Sequence, residues 1–150
     1  VKRLSSLAPA LLAATLGLAA CAPEPKAVAG MVIGDAWSRP TAAGMPMGVA
    51  YFTITNGTRV DDALIAASTP AAARVEMHET SIEDGMARMR PLTEIPVPAG
   101  GRVTVAPGGI HLMLVDLVQP LETGSRVPLV LEFRAAGKIT VELHVETRGG

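Results

Sequence analysis

Two stretches of this chain bring histidine and methionine close together. One is Glu76-Met77-His78-Glu79, followed by Met86 and Met89. The other is Ile110-His111-Leu112-Met113. Both read as β-strands, and in a strand residues i and i+2 share a face. His111 and Met113 therefore project to one side, within reach of one ion, while Leu112 and Leu114 turn to the core. His78 lies with Glu76 and Thr80. Met77 lies with Val75 and Glu79, on the other face. The chemistry on offer is that of soft ligands. Thioether sulfur is soft and imidazole borderline, a mixture that suits Cu(I) and is poor for Mg or Ca, which want oxygen. Thioethers do not titrate, so only the imidazoles must be deprotonated to bind. Taken singly, a Met in a strand is more often a flexible core filler than a ligand. Met31, Met45, Met47 and His144 are read in that ordinary way, as packing, loop or solvated residues, with Met45 and Met47 flanking Pro46 in a loop from which they could also contribute to a metal surface. Met86 is close to Met89 but of opposite strand parity.

Composition narrows the field. The chain has 150 residues with one Cys, seven Met and three His, and a formal net charge of −1. That length fits one domain plus a leader. One Cys excludes an internal disulfide framework, a CxxC redox motif and a Cys-based zinc finger. The near-neutral charge lacks the basic footprint of a nucleic-acid binder, so no nucleic-acid partner is expected.

The N-terminal segment reads as a leader. Lys2 and Arg3 precede a nearly apolar run from Leu7 to Ala20. That run is too short for a membrane-spanning helix, which needs about 20 residues, and suits a secretory signal. It ends Leu18-Ala19-Ala20-Cys21, which resembles a bacterial lipobox. Residues 1–20 are thus expected to be a lipoprotein signal peptide, 21–30 a tether, and 31–150 the folded domain. Lipid on Cys21 would anchor an exported, periplasmic protein to the membrane without spanning it. No thiol would then remain inside the domain.

After residue 30 the chain reads as many short strands. Met31–Ser38, Gly48–Thr55, Asp62–Ala67, Arg74–Thr80, Met86–Leu92, Gly101–Ala106, Ile110–Leu117, Val127–Phe133 and Lys138–Val145 are rich in β-branched or alternating residues. Turn signals separate them, among them Asn56-Gly57, Glu83-Asp84-Gly85 and Pro107-Gly108-Gly109. No long helical period follows the leader. This spacing argues for an all-β antiparallel sandwich or barrel.

Spacing then links the two His/Met stretches. Ten residues separate His78 from Met89, 21 separate Met89 from His111, and one separates His111 from Met113. This His-x10-Met-x21-His-x-Met pattern resembles the signature of the periplasmic PCu(A)C copper chaperones. The surroundings are similar too: Trp37-Ser38-Arg39, GVAYFTITN from Gly48, VEMHET from Val75, Met89-Arg90-Pro91, and PGGIHLML from Pro107. The resemblance covers roughly residues 31–145. It implies a cupredoxin-like or immunoglobulin-like β-sandwich that binds one Cu(I) through His78, Met89, His111 and Met113. It also implies delivery of copper toward the CuA centre in subunit II of cytochrome c oxidase, alongside a Sco-type thiol protein, and carriage of the ion instead of catalytic turnover.

The four-ligand reading has a geometric consequence. Residues 75–80 and 86–92 look like a hairpin around Ser81–Gly85. For His78 and Met89 to share a face, paired residue numbers must sum to an odd value, or a bulge or looped ligand must intervene. Two other classes compete with the chaperone. A copper redox protein is disfavoured because a blue-copper site needs a Cys thiolate and no spaced acid/base set is visible. A non-metal exported sandwich that binds protein would use the same Met and His as packing.

Overall fold

The computed structural model describes residues 30–148. The leader, the Cys21 anchor and most of the tether lie outside the described residues. Ten strands are present among them: β1 (Met31–Ser38), β2 (Met47–Asn56), β3 (Asp62–Ser68), β4 (Ala72–Glu83), β5 (Met86–Leu92), β6 (Ile95–Val97), β7 (Arg102–Val105), β8 (Ile110–Leu117), β9 (Arg126–Phe133) and β10 (Gly137–Val145). Neighbours run in the order β5-β4-β8-β2-β1-β10-β9-β3-β6, with β7 also against β2. The β8, β2 end contributes Ala50, Phe52, Leu112 and Leu114 to the core. The β9, β3 end contributes Leu64, Leu129, Leu131 and Phe133. Alternation along each strand makes this possible. In β10, Leu143 and Val145 are buried while Lys138, Thr140, Glu142 and His144 are exposed. Burial of such apolar side chains is the main favourable term in folding.

The all-β sandwich expected from the sequence is therefore the fold, with some refinements. β1 pairs with β10 in parallel, Trp37 opposite His144, so the ladder is mixed and not wholly antiparallel. β6 was not among the expected strands. It has three residues, one of them Pro96, too few for a period to show. Met47 opens β2 instead of sitting in a loop. The Asn56-Gly57 signal marks a longer loop. Buried Asn56 fixes that loop by donating its side-chain amide to the carbonyls of Val60 (2.8 Å) and Val97 (3.1 Å).

Three details hold the strands that matter most here. β8 lies between β4 and β2, pairing His111 with His78, Glu76 with Met113, and Met113 with Val49. Gly48 faces the core beneath this sheet, where a Cβ would come within 2.9 Å of Leu121 Cδ1. β4 and β5 form a tight hairpin with Glu83 opposite Met86. The two turn residues, Asp84 and Gly85, have φ of 52° and 77°. Positive φ at both central positions is the type I′ geometry that Asp-Gly favours and that matches strand twist. The strand thus runs three residues past Thr80, and the loop is shorter than the Ser81–Gly85 span suggested.

Candidate metal centre

The hairpin register decides which face Met89 takes. Thr80 pairs with Met89 and His78 with Pro91. The paired numbers sum to an odd value, so Met89 shares the face of His78 and Thr80 with no bulge between them. β8 aligns His111 directly opposite His78, and Met113 follows two residues on. The register therefore brings His78, Met89, His111 and Met113 to one face of the β5-β4-β8 sheet. Directly opposite residues have Cβ atoms about 4.5–5.5 Å apart, and diagonal ones about 7–8 Å. The two imidazoles stack loosely, with ring centroids 6.1 Å apart and planes at 27°.

The hydrogen bonds of the two rings are complementary. His111 Nδ1 lies 3.0 Å from the carbonyl oxygen of Gly109. A carbonyl can only accept, so Nδ1 carries the proton and Nε2 keeps a lone pair. His78 has the opposite arrangement. Its Nε2 lies 3.0 Å from Glu76 Oε2. With Nε2 donating to that carboxylate, Nδ1 holds the lone pair. His78 Nδ1 is buried and has no hydrogen-bond partner among the described residues. Burying a polar atom unpaired costs free energy unless something else satisfies it. An imidazole whose far nitrogen is held by a carboxylate or a carbonyl is the usual arrangement of a metal-binding histidine.

Glu76 is itself held. Arg74 Nε donates to Glu76 Oε1 at 2.8 Å, and Arg74 Nη1 donates to Asp116 Oδ2 at 2.6 Å. The Arg74 bond, followed by that to His78, keeps the Glu76 carboxyl below its ordinary range. Glu76 thus stays an acceptor. Strand parity places Glu76 beside His78 in the sequence, but only the distances show that it orients the ring.

Exposure is graded across the four residues. His111 is 6% exposed and Met89 is 56% exposed. His78 and Met113 fall between. Of the remaining methionines, Met77 is in the core, and Met31 packs against the core as its ordinary reading requires. His144 is exposed on β10, which β2 and β1 separate from β8. Among the described residues no three His, Cys, Asp or Glu side chains come together as a metal cage. An ion on this face would have to complete its shell with thioether sulfur, which selects soft metals.

The chain has relatives among known proteins. Residues 31–145 match the family described as "Putative lipoprotein LpqE-like". The chain belongs to the LpqE-like family. A curated relative, "Putative lipoprotein Lxx21020" of Leifsonia xyli subsp. xyli (strain CTCB07), is 31% identical over 144 residues, covering 90% of this chain and 86% of the relative. Family and relative are both described as lipoproteins, in agreement with an exported chain. Among solved structures, the copper-bound PCuAC domain from PmoF2 superposes with a TM-score of 0.69 at 28% identity, covering 81% of this chain and 97% of that one. The Cu(I) form of DR1885 from Deinococcus radiodurans gives 0.63 at 30% identity, covering 81% and 80%. The chain thus has the cupredoxin-like fold of PCuAC domains.

Proposed function

We propose that this protein is a periplasmic copper chaperone, anchored by lipid on Cys21. It holds one Cu(I) through His78, Met89, His111 and Met113 and passes it toward the CuA centre in subunit II of cytochrome c oxidase, with a Sco-type protein as a further partner. The ion is cargo, not a resident cofactor. The observation that carries this reading is the unpartnered, buried Nδ1 of His78. His78 lies on the sheet face that also carries His111 and both methionines. Two similar structures, one copper-bound and one in its Cu(I) form, support the choice of metal.

The residues divide the work. His78 Nδ1 and His111 Nε2 are the nitrogen donors left free by their own hydrogen bonds. Met89 and Met113 add neutral sulfur. Glu76 lies outside the donor set and positions His78. A graded site suits a carrier: the histidine in β8 is buried and fixed, while exposed Met89 is the donor that an incoming partner reaches first.

Titration with Cu(I) under reducing conditions tests the reading. One equivalent should bind tightly, and X-ray absorption should report a mixed nitrogen and sulfur shell. A shell of oxygen and nitrogen alone would refute the assignment. Glu76 gives a second expectation. Loss of an outer-shell partner costs about 10- to 100-fold in metal affinity. Glu76→Ala should fall in that range, while Glu76→Gln, which keeps an oxygen acceptor for Nε2, should recover most of it. Equal losses in the two variants would mean that Glu76 acts through charge and not by orienting the ring.

A further inference from the structure

Methionine is normally a core filler, yet four of the seven methionines here are exposed: Met45, Met47, Met86 and Met89. Met89 is explained by the proposed site, and Met86 sits beside the hairpin turn. Met45 and Met47 are 51% and 43% exposed and have no packing role that accounts for them. They stand at i and i+2 around Pro46. Met45 closes a turn, its amide donating to the Ala42 carbonyl at 3.2 Å, and Met47 opens β2 two residues on. The carbonyl of Pro46 accepts a hydrogen bond from the Leu117 amide at 3.0 Å, tying this segment to the end of β8.

The side on which Met47 projects is set by register. Met47 pairs with Val115 and Val49 with Met113. Met47 therefore lies on the face of His111 and Met113, one diagonal step from Met113. Diagonal neighbours about 7–8 Å apart remain within reach of long side chains. Two exposed thioethers at i and i+2 offer a pair of soft, neutral donors without any imidazole. Such a pair suits Cu(I) and rejects hard cations.

We propose that Met45 and Met47 form a second, weaker Cu(I) station at the rim of the copper face, from which the ion steps to and from Met113. This rests on the chaperone reading and extends it. The rim station binds the ion by sulfur alone and holds it loosely. It gives the ion a soft ligand on the way into a site whose histidines are shielded from solvent.

Carbon-13 labelling of the methionine methyl groups tests this, because each methionine reports separately. Cu(I) is added to the full chain under reducing conditions, up to two equivalents. The first equivalent should move the Met89 and Met113 signals. The second should move Met45 and Met47 progressively, as weak and rapidly exchanging binding does, and the double variant Met45→Leu/Met47→Leu should lose this second step while keeping the first. Met89 and Met113 moving with Met45 and Met47 unmoved at two equivalents would overturn the rim station and leave the main site intact. Met89 and Met113 staying still throughout would instead overturn the chaperone reading, and the station with it.

Discussion

Replacing His111 with alanine should abolish tight Cu(I) binding while leaving the sandwich folded. His111 is the most buried of the four proposed ligands, and its Nδ1 is tied to the Gly109 carbonyl. Its lone pair is therefore aimed before the ion arrives, and little ordering remains to be done on binding. The loss should exceed the roughly 10- to 100-fold expected when only an outer-shell partner is removed. The fold should tolerate the change. Gly109 O also accepts the Thr80 amide at 3.1 Å, so the carbonyl keeps a partner when the imidazole goes. The core-facing side of β8 is untouched. Met89→Ala should cost less affinity, since Met89 is the exposed donor. Competition against a chromophoric Cu(I) chelator measures both affinities, and thermal denaturation checks the fold. A His111→Ala protein that binds as tightly as the wild type would remove His111 from the site.

That asymmetry between ligands was only partly legible in the sequence. The His-x-Met of β8 places two donors on one face by strand parity alone, and the structure keeps that arrangement. The pairing of His78 with Met89 depends on turn geometry, which parity cannot supply. Strand periodicity leaves both registers open, and the Asp84-Gly85 type I′ turn selects the odd one. Long-range facts were out of reach. That His78 lies opposite His111, and that Arg74 reaches Asp116 to hold Glu76, follow from β4 crossing to β8 across more than thirty residues of chain. Short elements were hidden for another reason. Ile95–Val97 carries a proline and one alternation, too little to stand out from a loop, yet Ile95 and Val97 are fully buried. The parallel contact between β1 and β10 joins the first strand to the last, and no local pattern encodes such a pairing.

The largest effect on stability is expected at Leu112, the residue between the two proposed β8 ligands. It is fully buried and pairs with Met77 on one side and Ala50 on the other. Leu→Ala substitutions at such positions cost about 2–5 kcal/mol, a large share of the roughly 5–15 kcal/mol that holds a domain together. Leu112→Ala should therefore lower the midpoint of thermal unfolding far more than His111→Ala does. Yet it leaves every proposed copper donor in place. An ion that binds only the folded state stabilises it by about 2.7 kcal/mol at a hundred times its Kd. Copper should thus raise the unfolding temperature of Leu112→Ala by a margin similar to that of the wild type. It should do little for the otherwise sturdier His111→Ala. The two variants separate the two faces of one strand, because alternation sends residue 112 to the core and residues 111 and 113 to the proposed metal face. If copper rescued His111→Ala as well as Leu112→Ala, the ion would be bound elsewhere on the chain, and the face shared by His78, Met89, His111 and Met113 would not be its site.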